Sequence, residues 1–165
     1  QPLSLAIKTK QPNIAFSILG RKVDPDVPDL DTGRTPLFYA CMHGKLPLNQ
    51  MLITAGADPG YGDLKAVTPL MMAAAARDHR TVKYICNLRI KLDLDAQDFH
   101  GWTALHYAAS TDGYKAIKEL LEAGADRHIS DANNRKPLHI AKMHGFGDSE
   151  AQLEDSKSRL AALDD

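Results

Sequence analysis

Apolar positions along this chain fall into short helical clusters separated by polar turns, and the clusters recur. Leu48, Met51 and Leu52 share one face at helical spacing, as do Ile117, Leu120 and Leu121. Ile14, Ile18 and Leu19 form a weaker version near the start. A shorter stretch with paired small residues precedes the later clusters: Ala40-Cys41, Ala73-Ala74 and Ala108-Ala109. Small side chains let neighbouring helices approach closely. The pattern therefore predicts thin layers of paired helices rather than one bulky core.

The pairs are opened by a repeated phrase. Thr35-Pro36-Leu37, Thr68-Pro69-Leu70, Thr103-Ala104-Leu105-His106 and Lys136-Pro137-Leu138-His139 begin 33, 35 and 33 residues apart. Gln1-Pro2-Leu3-Ser4, 34 residues before Thr35, is a worn fifth copy. A hydroxyl at Thr35, Thr68 or Thr103 suits a helix N-cap, and the following proline sets φ for the first turn. Turn-forming clusters precede the phrase: Asp31-Thr32-Gly33, Asp63-Leu64, Asp98 to Gly101 and Asp131 to Asn134. The second helix closes with Ala55-Gly56-Ala57-Asp58 and Ala123-Gly124-Ala125-Asp126, where Gly56 and Gly124 suit a left-handed C-cap.

With these phrases in phase, the chain resembles ankyrin-repeat proteins, whose period is about 33 residues. The resemblance implies an all-α solenoid: a curved stack of helix-turn-helix pairs with β-hairpin fingers along one edge. It divides the chain into copies at about 1–30 (divergent), 31–63, 64–97, 98–130 and 131–165, the last a capping repeat. It also implies that His106 and His139, in the fourth letter of the phrase, sit in a hydrogen-bond network between repeats.

Three copies depart from the pattern. The first lacks the capping Thr and the Gly-Ala pair, and sequence upstream of Gln1 is expected, so that the domain is a fragment of a longer chain. The third replaces Gly-Ala-Asp by Ile90-Lys91-Leu92-Asp93 with two extra residues, for which a longer or re-bent second helix is expected. In the fifth, Ser149-Glu150-Ala151-Gln152 reads as a capping box, with Leu153, Leu160 and Leu163 as a sparse apolar stripe. A polar outer helix suits a terminal repeat.

Composition narrows the chemistry. Twenty Lys and Arg against 21 Asp and Glu leave a net charge of −1, so no global field draws the chain to nucleic acid or membrane. No apolar run is long enough for a membrane span. Cys41 and Cys86 read as reduced thiols, which places the chain in cytoplasm or nucleus. No phosphate-binding loop, nucleophile elbow or zinc spacing occurs, and no metal, cofactor or catalytic residue is expected. Locally, Arg77, Arg80, Lys83, Arg89 and Lys91 stand against Asp78 alone, a basic run read either as a solvated face or as a patch for an acidic partner or phosphoinositide. The segment from Asp148 onward is acidic.

The expected activity is therefore non-catalytic binding of another protein or an extended peptide, by a monomeric domain. The resemblance places partners on the fingers and the exposed ends of the first helices, on the concave side. In the second copy those positions hold Asp31, Thr32, Arg34, Met42 and His43; in the third, Leu64, Lys65, Val67, Ala75 and Ala76. The fourth offers Phe99, His100, Trp102, Ser110 and Thr111, the fifth Ala132, Asn133, Arg135, Met143 and His144. Trp102, the only Trp, has two readings: an exposed contact with Phe99, or a ring laid over the neighbouring finger. A regulatory segment of a larger enzyme, channel or transcriptional regulator is the alternative. Positions open to asparaginyl hydroxylation in the family hold Asp26, Gly60, Asp95 and His128, so no modification is expected.

Overall fold

The computed structural model describes residues 2–154. Among them are five helix pairs: α1 (Pro2–Lys8) with α2 (Pro12–Leu19), α3 (Pro36–Met42) with α4 (Leu46–Thr54), and α5 (Pro69–Ala75) with α6 (His79–Cys86). Then come α7 (Ala104–Ala109) with α8 (Tyr114–Glu122), and α9 (Pro137–His144) with α10 (Gly147–Leu153). The first helices pack side by side in chain order, and α4, α6, α8 and α10 form a second layer. The result is an all-α solenoid.

Thr35 and Thr68 start their helices as read, accepting the amides of Phe38 at 3.2 Å and Met71 at 3.3 Å. Thr103 caps α7 together with His106, whose Nδ1 lies 3.0 Å from the Thr103 hydroxyl and accepts the Thr103 amide at 3.1 Å. Leu37, Leu70 and Leu105 are buried at the same place in successive repeats, each contributing about 2 kcal/mol of apolar burial. Ala40, Ala73, Ala74, Ala108, Ala109 and Ala141 are fully buried beside them, the small-residue stripe along which the layers meet. Gly56 and Gly124 stand just past α4 and α8 with φ of +103° and +100°, the left-handed backbone their position requires.

The fingers are hairpin-like turns, with no strand among the described residues. Each is organised by an aspartate, buried in all but the first finger. Asp63 Oδ1 accepts the amides of Lys65 (2.8 Å) and Val67 (3.0 Å). Asp98 does the same for His100 (2.8 Å) and Trp102 (2.9 Å), and Asp131 for Asn133 (2.9 Å) and Arg135 (2.8 Å). In the first finger this residue is Asp29, whose amide closes the turn on the Arg34 carbonyl, while Asp31 is exposed. The turn at Asp31-Thr32-Gly33 is where the sequence places it, but this finger is one residue longer and its organising aspartate stands two places ahead of Asp31. Neighbouring fingers share one backbone bond each: Leu64 to Thr32 (3.1 Å), Phe99 to Lys65 (3.1 Å) and Ala132 to His100 (2.9 Å), amide to carbonyl.

A second ladder joins the repeats below the fingers. Asp26 accepts the Asp58 amide at 2.9 Å, and Asp95 the Asp126 amide at 2.9 Å. Gly60 has no carboxylate to offer there, and Leu92 packs over it instead, 3.2 Å from where a Cβ would lie. The insertion in the third copy belongs to this region. Helix α6 has eight residues against nine in α4 and α8, so the extra residues re-bend the segment after it and do not lengthen the helix.

The last pair also corrects an expectation. Ser149 lies inside α10, whose N-cap is Phe146, and its hydroxyl donates to Asp112 Oδ1 at 2.9 Å. It ties the repeat to its neighbour and does not cap a helix; Leu160 and Leu163 lie outside the described residues. Across the second layer, Asn49 Nδ2 donates to Thr81 Oγ1 at 2.8 Å, which donates to Asp78 at 2.6 Å, a buried polar link from α4 to α6.

Asp98→Ala leaves two amides and the Tyr107 hydroxyl without an acceptor, and should cost about 2–4 kcal/mol in urea unfolding followed by circular dichroism. Ala66 holds φ +60° in the second finger, where other fingers use Gly33 and Gly101. Ala66→Gly should therefore raise stability in the same assay, by about 0.5–1 kcal/mol.

Candidate functional site

The fingers and the far ends of the first helices carry most of the residues expected to contact a partner, and the structure separates them into engaged and exposed groups. Val67 is only 8% exposed: its side chain belongs to the core, so it is no contact residue. Arg34 pairs with Asp63, Nε to Oδ2 at 3.2 Å, and its guanidinium lies over the Phe38 ring. Arg135 makes two bonds to Asp131 Oδ2, at 2.9 and 2.7 Å. Burial alone would raise the Asp131 carboxyl. Arg135, the finger amides and the Trp102 indole outweigh it and hold the pKa down to about 2.

Trp102 is half-buried against its own repeat and reaches the next finger through its polar atom. Its indole N–H donates to Asp131 Oδ2 of the next finger at 3.1 Å, and its ring stacks on His106 and meets Tyr107 edge-on. The ring is half-buried and its polar atom is used within the fold. Tyr107 in turn donates to Asp98 Oδ2 at 2.7 Å, and burial with that carboxylate raises the phenol's pKa. Ser110 and Thr111 are half-buried, their hydroxyls on carbonyls of their own helix.

His106 links repeats. Its Nδ1 accepts the Thr103 amide at 3.1 Å and its Nε2–H donates to the Arg135 carbonyl at 2.9 Å. Burial, above all, lowers its pKa below the ordinary 6.5, and the neutral ring fits both bonds. His139 accepts the Lys136 amide in the same way at 3.1 Å but is exposed. In the third copy the slot holds Met71, whose Sδ receives the Thr68 amide at 3.4 Å.

What remains exposed is a row of apolar finger tips. Leu30, Leu64 and Phe99 each directly follow the organising aspartate of successive fingers and are 87%, 63% and 75% exposed. Lys65 and His100 stand beside them, and Met42, Met143 and His144 are exposed at the inner helix ends, His144 stacked on Phe146. His43 is half-buried, its pKa lowered by burial and by Lys10 and Lys45. Leu30 was missed because the first finger was read from Asp31 onward.

The basic run does not gather into one patch. Arg77 stands in the turn before α6 and Arg80 in the first turn of that helix, while Arg89 and Lys91 follow its other end. Lys83 between them pairs with Glu119 of α8 at 3.2 Å. An eight-residue helix, about 12 Å long, separates the two ends.

A family model for ankyrin repeats matches three times, over residues 3–98, 46–131 and 90–151. The chain belongs to the ankyrin-repeat family. Ankyrin repeats are protein-interaction modules, and their regular letters here are the ones used within the fold. The chain is 31% identical over 135 residues to the transient receptor potential channel pyrexia of Drosophila melanogaster, a match covering 81% of this chain and 14% of the channel. It is 33% identical over 130 residues to a putative ankyrin repeat protein of fowlpox virus, covering 74% and 84%, and 27% identical over 144 residues to dog inversin, covering 87% and 13%. Of the channel and inversin, then, it spans less than a sixth.

The lowered His106 pKa sets a pH dependence. The unfolded imidazole takes up a proton near pH 6.5, the folded one only below that. This ankyrin domain's stability should be fully present above about 6.5 and fall as the pH drops from there toward the depressed folded value. His43 acts in the same direction. The urea midpoint should decline between about pH 7 and pH 5, with a shallower decline in His106→Gln than in the parent.

Proposed function

We propose that this ankyrin-repeat chain is a non-catalytic module that holds another protein, or an extended segment of one, along the finger tips and inner helix ends of its concave side. One observation carries this reading: Leu30, Leu64 and Phe99, each directly after the organising aspartate of its finger, put large apolar side chains on three consecutive fingers, exposed to solvent. Such rows are unfavourable in water and favour a partner that covers them. Phe99, His100, Met42, Met143 and His144 remain contact residues in this reading, whereas Arg34, Trp102 and Arg135 act by fixing finger shape. Neither the site nor the charge balance favours nucleic acid. No helix among the described residues is long and apolar enough to cross a membrane.

The setting is a second part of the proposal. Matches that cover a small share of a channel and of inversin support a regulatory or scaffolding segment of a longer protein. Two free thiols, Cys41 buried and Cys86 half-buried, fit a reducing compartment, cytoplasm or nucleus.

The test is affinity purification with mass spectrometry of proteins retained by the parent, by Leu64→Ser/Phe99→Ser and by Lys118→Ser on the outer helix. The finger variant should lose the retained protein, with affinity lower by about 2–3 kcal/mol once that protein is in hand, while Lys118→Ser keeps it. An unchanged retained set from a finger variant of intact helicity would reject the site.

A further inference from the structure

The turns joining the two helices of each repeat line up along the edge opposite the fingers, and the structure brings together there cations that are far apart in sequence. Lys10 and Lys45 border a small apolar hollow beside His43. Lys45 and Arg80 border the next depression, a groove of about 400 Å³ floored by Pro12, Phe16, Leu46 and Pro47. Arg77 and Lys115 line the cleft after it. All five cations are exposed, and none makes an ion pair among the described residues. The two carboxylates between them are occupied: Asp78 takes the Thr81 amide and hydroxyl, Asp112 the Ser149 hydroxyl. Phe16 is 42% exposed at the groove wall. In the fifth repeat the edge turns acidic, with Asp148 and Glu150.

We propose that this edge is a second docking surface, for an acidic polypeptide segment bearing an apolar side chain. The apolar side chain enters the groove of Phe16, Leu46 and Pro47, and the flanking carboxylates meet Lys10, Lys45, Arg77, Arg80 and Lys115. Charge complementarity selects the acidic partner, and Asp148 and Glu150 limit it to the first four repeats. The recessed apolar floor and the interleaved Asp78 and Asp112 favour a peptide over a continuous row of phosphates, whether of nucleic acid or of lipid. The surface is independent of the fingers, which lie at the other end of the first helices.

The probe is a fluorescein-labelled synthetic peptide of aspartates and glutamates around one phenylalanine, titrated with the chain and read by fluorescence anisotropy. Saturable binding is expected, weaker at higher salt. Lys45→Glu/Arg80→Glu, and the milder Lys45→Gln/Arg80→Gln, should weaken it, the former by about tenfold. Phe16→Ser should weaken it as well, while Arg89→Glu/Lys91→Glu and Leu64→Ser/Phe99→Ser should leave it unchanged. The proposal is overturned by absence of saturable binding, by equal loss in the Arg89→Glu/Lys91→Glu variant, or by indifference to Phe16→Ser. Tighter binding of the parent to vesicles of phosphatidylserine or to a single-stranded oligonucleotide, lost in Lys45→Glu/Arg80→Glu, would also overturn it.

Discussion

Each finger hangs on one carboxylate. Asp63, Asp98 and Asp131 use one oxygen to gather two amides of their own turn, and Asp29 holds the Asp31 amide in the first finger. The other oxygen receives a donor from a neighbouring element: Lys8 and Tyr39 on Asp29, Arg34 on Asp63, Tyr107 on Asp98, Trp102 on Asp131. A turn of this shape has too few residues to satisfy its amides through a strand ladder, and a buried amide left unpaired is costly. The carboxylate solves that problem and fixes where the next helix begins. Helix spacing, finger spacing and the small-residue contacts between layers all follow from it.

Because each repeat touches only its neighbours, the links between adjacent units matter more here than in a single-core protein. Three kinds recur in this stack. The finger carboxylates act at one edge, Asp26 and Asp95 act below them, and the Asn49–Thr81–Asp78 and Ser149–Asp112 bonds act in the second layer. Where one is missing, at Gly60, apolar packing by Leu92 replaces it and the segment after α6 bends to bring that side chain in. The irregular third repeat thus joins its neighbour by apolar packing where the others use a hydrogen bond.

The regular letters were legible in the chain because they act locally: a threonine cap, a proline at the first turn and a glycine past a helix end need only their own neighbours. The aspartates were legible as turn residues but not as the organisers of the fingers, since their second oxygen is served from up to 29 residues away. Trp102 failed for the same reason. Whether an indole in that position faces solvent depends on an acceptor at Asp131, which no local pattern reveals. The basic run misled in the opposite direction, because nearness in sequence puts Arg80 and Arg89 at opposite ends of one helix, while the solenoid sets Arg80 beside Lys45.

The two edges of the stack are under different constraints, and this bears on where binding specificity can reside. At the finger edge the organising carboxylates and the turn amides are committed to the fold, so freedom lies at the two exposed positions after each aspartate, Leu64-Lys65, Phe99-His100 and Ala132-Asn133. At the turn edge, the position after each first helix is left-handed in all five repeats: Lys10, Gly44, Arg77, Asp112 and Gly145. Glycine meets that requirement freely, while a side chain there costs about 1 kcal/mol. Lys10 and Arg77 bear this strain and make no ion pair among the described residues; inside the fold their charge meets only the C-terminal ends of the dipoles of α1 and α5. Asp112 bears it too, but is tied to Ser149 and so to folding. The division runs along the edge itself: cations without an ion pair among the described residues, and carboxylates bound into the fold.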